Sequence, residues 1–256
     1  MKKWFISLLV MVSLTTSGPA FSQICPPQSW PLWELFKQHF IQKDGRVLDA
    51  STPQQQSTSE GQSYAMFFAL IANDRPAFEQ LWQWSIHNLF DGDATTQLPA
   101  WLWGKNDKGQ WGVLDVNSAS DADIWFTYAL LEAGRLWNEP IYTQAAYSLL
   151  AQIELKELED IPQLGAMLLP GEMGFKHKNQ WILNSSYLFT PLFRRLHKES
   201  PLSQWGEVAD HSITVLEQTT PKGFAADWVT YQHDSKNQSF SYLLHKPDQK
   251  PIGSYD

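Results

Sequence analysis

The chain has 256 residues, of which 19 are Lys or Arg and 27 are Asp or Glu, and its formal net charge at pH 7 is −8. With 43% hydrophobic and 18% charged residues it can bury a substantial core, which excludes a disordered protein. The acidic balance argues against a nucleic-acid-binding protein, and the single cysteine, Cys25, excludes both an internal disulfide framework and a zinc site built on several cysteines.

The first 22 residues have the pattern of a secretory signal peptide. Lys2 and Lys3 give a positive start, residues 4–14 are apolar, and Ala20-Phe21-Ser22 supplies small residues at the −3 and −1 positions. The alternative is a membrane anchor, but the apolar run is too short to span a bilayer. We therefore expect export to the periplasm or the medium, a mature domain over residues 23–256, and no membrane span after cleavage.

Beyond the signal, the periodicity is helical. Apolar residues recur every three or four positions in seven stretches, which predicts one all-α domain of helical hairpins. The stretches are 30–40, 64–71, 78–89, 124–137, 145–153, 187–196 and 205–216. Only Arg46–Leu48 and Phe240–Leu244 resemble short strands. The long connections 91–118 and 165–184 are rich in Trp, Gly, Asp and Asn, and long loops of this kind usually carry function.

Glu60 opens the second helical stretch and allows two interpretations. Ser57-x-x-Glu60 fits a capping box, in which the Glu side chain accepts a hydrogen bond from a backbone N–H, and the pattern alone favours this interpretation. A carboxyl at that position can also project into a cleft beside aromatic residues. Burial there would raise its pKa and suit it to general-acid catalysis.

Asp121 and Asp123 begin the fourth helical stretch and are also open to alternatives. Ser118, Ser120 or Asp121 can cap that helix, and acidic residues favour its N-terminus. Two acids separated by one residue are compatible with metal binding, but no further ligand lies at a useful spacing. We therefore predict no metal site. The terminal Gly253–Asp256 segment by itself is compatible with a frayed end.

Nucleophilic catalysis has little support, because the sequence contains no GxSxG elbow and Cys25 has no motif around it. What remains is a set of carboxylates together with 13 Trp, 14 Phe and 8 Tyr. Carboxylates supply the acid and base of glycoside hydrolysis, and aromatic rings stack on the apolar faces of sugars. The combination in an acidic, exported protein indicates polysaccharide cleavage without a cofactor.

Several motifs, taken in order, resemble those of glycoside hydrolase family 8. The stretch Ala119–Trp137 meets the family signature A-[ST]-D-[AG]-D followed by an apolar helix and a final aromatic, departing at Phe126 and Thr127. Further matching segments are Thr58–Tyr64, Asn184–Tyr187, Gly223, Asp227-Trp228 and Ser254–Asp256. Within the family, the chain is most similar to the periplasmic cellulases that accompany bacterial cellulose synthase.

The resemblance implies an (α/α)6 barrel of helical hairpins and inverting endo-cleavage of β-1,4-glucan. By position, Glu60 corresponds to the general acid, Asp256 to the general base that activates water, and Asp121 to the residue that orients the distorted sugar. Tyr187 and Tyr255 correspond to residues of the same subsite, and Trp101 and Trp103 are candidate stacking platforms. The implied partners are a β-glucan polysaccharide and the cellulose synthase machinery.

The end of the chain departs from the family pattern, because the barrel of the family continues beyond the motif that contains Asp256. We therefore expect a C-terminally truncated domain with an incomplete helical ring. Two alternatives to the cellulase remain at this stage: a catalytically impaired, glucan-binding protein, and a related glycosidase that acts on xylan, chitosan or mixed-linkage glucan.

Overall fold

A computed structural model describes residues 30–220, 222–234, 237 and 239–244. The predicted signal peptide, Met1–Ser22, lies outside the described residues. So do Cys25 and the predicted site residues Tyr255 and Asp256, which remain predictions from sequence.

The described residues form seven α-helices, and each of the seven predicted helical stretches overlaps one of them. The helices are α1 Pro31–Phe40, α2 Ser59–Ile71, α3 Arg75–Asn88, α4 Ser120–Trp137, α5 Pro140–Lys156, α6 Thr190–Glu199 and α7 Trp205–Gln218. The sixth stretch was predicted to begin at Tyr187, which instead ends the short 3-10 helix Ser185–Tyr187 just before α6. Apolar periodicity therefore located the helices correctly.

The helices α2–α3, α4–α5 and α6–α7 are consecutive pairs that pack against each other, as the hairpin prediction requires. Local chemistry explains two of the reversals. Asn138 takes the left-handed conformation after α4, with φ of 54°, and Pro140 starts α5 where its missing N–H costs nothing. Before α3, the Asp74 side chain accepts a hydrogen bond from the backbone N–H of Ala77 at 3.2 Å.

Strands are more numerous than the sequence predicted. The nine strands of the described residues are β1 Ser57–Thr58, β2 Leu102–Lys105, β3 Trp111–Asp115, β4 Leu158–Ile161, β5 Gly165–Leu168, β6 Lys176–His177, β7 Gln180–Asn184, β8 Trp228–Asp234 and β9 Ser239–Leu244. All pairings are antiparallel, in the orders β1-β2-β3, β4-β5 and β6-β7-β8-β9.

These strands correct two expectations. The connections 91–118 and 165–184 are not purely loops, because they contain β2, β3, β5, β6 and β7. Each of these strands has five residues or fewer, which is too short for a period-2 pattern to stand out in the sequence. Phe240–Leu244 does lie in β9, whereas Arg46–Leu48 forms only an isolated bridge between Val47 and Ile41.

Helix α4 lies at the centre of the larger hydrophobic core and packs against α2, α5 and α6. Around Phe126 of α4, the rings of Phe90 and Trp82 lie 5.7 and 6.1 Å away, centroid to centroid. A second, smaller core fills the space beneath the four-stranded sheet. Because α4 carries buried residues on nearly every side, its first turn is held rigidly by the packing behind it.

Of the helices in the described ranges, none is both long enough and apolar enough to pass through a bilayer.

Replacing Gly134 by Ala is expected to destabilise the fold, because an added Cβ would lie 2.1 Å from Thr143 Oγ1 and 3.0 Å from the backbone N of Thr143, where α4 meets α5. We expect a loss of about 1–3 kcal/mol in the free energy of unfolding, measured by urea titration. Gly112→Ala is the control, because the corresponding Cβ meets nothing within 4 Å. Equal unfolding midpoints for the two variants would contradict the close approach.

Candidate active site

The carboxyl of Glu60 does not cap α2. Thr58 does, with its Oγ1 accepting a hydrogen bond from the backbone N–H of Gly61 at 3.1 Å, so the Ser57-x-x-Glu60 capping-box interpretation is wrong. Glu60 instead accepts hydrogen bonds from the Trp101 indole at 3.0 Å (Oε1) and from the Ser59 hydroxyl at 3.1 Å (Oε2). The carboxyl thus projects between the start of α2 and the residue that precedes β2.

The backbone holds Trp101 in that position. The N–H of Ser59 donates to the carbonyl of Trp101 at 3.0 Å, and β1 pairs with β2 in the register Thr58 to Leu102. The start of α2 and the strand that follows Trp101 are therefore joined by a sheet ladder, which fixes the indole N–H against Glu60.

Asp121 lies in the first turn of α4 and faces α2. The Tyr64 hydroxyl donates a 2.8 Å hydrogen bond to Asp121 Oδ2. Tyr64 is four residues after Glu60, so both side chains project from the same face of α2. The structure therefore brings Glu60 and Asp121 together through a phenol that the sequence interpretation had not assigned to the site. The i, i+4 spacing from Glu60 is the signal that could have identified it.

Burial dominates the electrostatics of the two carboxyls. It raises the pKa of Glu60 to about 7. The negative charge of Asp121 adds to the rise, and hydrogen bonds from the backbone N–H of Glu60, from Trp101 and from Ser59 oppose it. Burial also raises the pKa of Asp121, against the stabilising hydrogen bond from Tyr64. A carboxyl that retains its proton near neutral pH can act as a general acid.

Tyr187 joins the same group of side chains. Burial raises the pKa of its phenol above the usual value, and the charges of Asp121 and Glu60 add to the shift. The turn that presents it is fixed by the Asn184 side chain, which accepts a hydrogen bond from the backbone N–H of Ser186 at 2.9 Å. The structure thus places Tyr187 near the two acids, and its role in binding sugar remains a prediction.

Trp101 and Trp103 have different surroundings. Trp101 borders Glu60, whereas Trp103 is packed on one face against Trp111, at 5.2 Å and 16° between the rings, and edge-on against Trp84 at 5.3 Å. The Arg46 guanidinium lies 5.2 Å from the Trp103 ring. Much of Trp103 is therefore committed to protein contacts, and its role as a sugar-stacking platform stays a prediction.

Two further carboxyls of this region, Asp123 and Glu157, were missed as site residues. Both are fully buried. The sequence patterns assign Asp123 no catalytic role: it is an acidic residue at the start of α4 or one of two candidate metal ligands. Among the described residues, no group of three or more His, Cys, Asp and Glu is placed to hold a metal ion. Glu157 gave no sequence signal, because it follows α5 and only tertiary packing brings it beneath α4.

Residues 6–246 match the sequence pattern described as Glycosyl hydrolases family 8. The chain is 45% identical to a protein named Endoglucanase from Pseudomonas fluorescens (98% of this chain, 63% of the relative) and 44% identical to an Endoglucanase from Salmonella typhi (100% and 65%). The crystal structure of an endo-1,4-D-glucanase from Vibrio fischeri superposes with a TM-score of 0.77 at 47% identity, over 82% of this chain and 63% of that one.

The chain therefore spans a little under two thirds of the length of these relatives. Solved family members are (α/α)6 barrels, so the predicted fold class is confirmed, with the strands described above added to its helical framework.

Glu60→Gln is expected to change how stability depends on pH. The folded-state pKa of Glu60 is raised from 4.5 to about 7, so the stability of the native chain falls as pH rises across that interval. Gln does not ionise. Between pH 4 and pH 8, the free energy of unfolding of the variant should therefore rise by on the order of 3 kcal/mol relative to that of the native chain. This follows from about 1.4 kcal/mol per pKa unit.

Urea unfolding of the native chain and the variant, at pH 4 and at pH 8, measures this difference. Any effect of the Gln amide that does not depend on pH cancels when the two pH values are compared. Glu207→Gln, at an exposed position of α7, is the matched control and should show no such pH dependence. A Glu60→Gln variant that behaves like Glu207→Gln would mean that Glu60 ionises normally in the fold.

Proposed function

Because the chain belongs to glycosyl hydrolase family 8, we propose that it is an inverting endo-β-1,4-glucanase that hydrolyses cellulose or nascent bacterial cellulose. The observation that carries the proposal is the buried carboxyl of Glu60, which has a pKa of about 7 and lies beside Asp121 and the Trp101 indole. The relatives that match over nearly the whole chain are named endoglucanases, which favours a β-1,4-glucan as substrate.

In the proposed reaction, Glu60 donates its proton to the glycosidic oxygen as the bond from that oxygen to the anomeric carbon breaks. Asp121 orients the distorted sugar at the cleavage point. The Tyr64 hydroxyl, which donates to Asp121 Oδ2, holds the carboxyl in this position. Tyr187 and Tyr255 line the same subsite. Asp256 takes a proton from the water that attacks the opposite face of the anomeric carbon, and this attack inverts its configuration.

The same proposal includes export. The Lys2-Lys3 start, the apolar run and the Ala20-Phe21-Ser22 site support cleavage after residue 22 and a mature domain over residues 23–256. An exported β-glucanase would meet cellulose as the polymer leaves the cell. We therefore extend the proposal to a periplasmic or secreted role in cellulose biosynthesis beside the synthase machinery.

Removal of the acid tests the reaction. Glu60→Gln keeps the shape of the side chain but cannot donate a carboxyl proton, so reducing-end release from carboxymethylcellulose should fall about 10²- to 10⁴-fold. Glu207→Gln should retain the activity of the native chain. Binding of the polymer by the native chain without release would favour a non-catalytic glucan-binding protein, and faster release from xylan, chitosan or mixed-linkage glucan would move the proposal to another polymer.

The pH–activity profile tests the protonation state of the acid. Glu60 must carry its proton to act, so kcat/KM should fall as the pH rises through about 7. Initial rates on a soluble cello-oligosaccharide from pH 3 to pH 9 would measure this alkaline limb of the profile. A fall in kcat/KM that is already centred near pH 4.5 would show that Glu60 lacks the environment described here.

A further inference from the structure

Beneath Asp121 lies a second pair of carboxyls that the proposed reaction does not use. Asp123 follows Asp121 by two residues in the first turn of α4, and Glu157 directly follows the last residue of α5. Both side chains have no exposed surface. Such groups are rarely buried unless they are paired or neutralised.

The hydrogen bonds of the pair do not account for two negative charges. Glu157 Oε1 accepts a 2.6 Å hydrogen bond from the Ser118 hydroxyl, whose oxygen in turn accepts from the backbone N–H of Glu172 at 2.9 Å. Glu157 Oε2 and both carboxyl oxygens of Asp123 receive no hydrogen bond from any N–H or hydroxyl donor in the described part of the chain. Among those same residues, no Lys, Arg or His forms an ion pair with either carboxyl.

The two carboxyls do, however, lie within hydrogen-bonding reach of each other. Two carboxylates cannot bond to each other, because both are acceptors only, whereas a protonated carboxyl has one O–H to donate. A retained proton therefore supplies the missing donor and removes a buried charge.

We infer that Asp123 is protonated in the folded protein at neutral pH and donates a hydrogen bond to Glu157, and that this bond makes Asp123 a positioning residue that holds Asp121 in place. The bond ties the first turn of α4 to the end of α5. Its significance for catalysis rests on the proposed function, whereas the protonation itself does not.

The electrostatic surroundings agree with this assignment. Burial raises the pKa of Asp123 well above its usual value, and the neighbouring carboxyls add to the rise. Burial likewise raises the pKa of Glu157, to about 8, against the hydrogen bonds from Ser118 and Asp123. The titratable and charged groups that face the pair are Asp121 on α4, Glu60 and Tyr187 around the site, and Glu172, which is 3.6 Å from Lys156.

A protonated Asp123 also limits the negative charge around the acid. If Asp123 were ionised, its charge would raise the pKa of Glu60 further, and replacing it with a neutral residue would lower that pKa. If Asp123 is already neutral, an amide of the same shape changes no charge. Asp123→Asn should therefore lower the pKa of Glu60 if Asp123 is ionised, and leave it unchanged if Asp123 is protonated.

The functional experiment compares Asp123→Asn with Asp123→Ala. The Asn amide keeps a donor for Glu157, so kcat should stay within about twofold of the native chain and the limb near pH 7 should not move. Ala removes the donor, and kcat should fall by tenfold or more, with rescue of activity by Asn as the sign of positioning. The inference would be overturned if the activity of Asp123→Asn fell at a lower pH than that of the native chain. Equal loss of activity in both variants would also overturn it.

A spectroscopic experiment separates this inference from the proposed function. In the Glu60→Gln background, infrared spectra at pH 7 should retain a protonated-carboxyl C=O band that shifts in D₂O. Adding Asp123→Asn together with Glu157→Gln should remove it. The band is expected even if the chain hydrolyses no glucan. A Glu60→Gln spectrum without any protonated-carboxyl band would show that the pair is ionised, whatever the activity.

Discussion

The site depends on one constraint, which is that several carboxyl groups are buried together between the first turns of α2 and α4. Removing a carboxylate from water is unfavourable unless hydrogen bonds or a retained proton compensate. The indole of Trp101 and the hydroxyls of Ser59 and Tyr64 supply part of that compensation. The part of the cost that is not compensated raises the pKa values of the carboxyls. Burial therefore destabilises the fold when Glu60 is ionised, and it lets Glu60 keep its proton near neutral pH.

The helical hairpins and the small sheets position different parts of this cluster of buried carboxyl groups. Packing of α4 against α2, α5 and α6 fixes where its first turn begins, and thereby places Asp121. The antiparallel ladder between β1 and β2 attaches the chain at Trp101 to the start of α2. A donor that is 41 residues away in sequence can therefore meet Glu60 at hydrogen-bonding distance without relying on a mobile loop.

Sequence patterns predicted the parts of this arrangement that repeat regularly or match a family motif. Periodic apolar residues located the seven helices of the described residues, and motif positions identified Glu60, Asp121 and Tyr187 as candidates. The patterns could not decide whether Glu60 caps its helix, because the direction of its side chain is set by the distant Trp101. They also missed most of the short strands, whose pairing depends on partners, and Glu157, whose burial depends on the α4–α5 packing.

The surroundings of the two acids also decide which of them keeps a proton in the proposed reaction. Asp121 is stabilised as an anion by the Tyr64 phenol and by the backbone N–H groups of Asp121 and Ala122 at the start of α4. Glu60 is held by its own backbone N–H, an indole and a hydroxyl, and the charge of Asp121 disfavours its ionisation. The negative charge of Asp121 thus helps Glu60 to retain its proton. Two carboxyls that begin similar helices acquire different roles in the proposed reaction because the charge of one raises the pKa of the other.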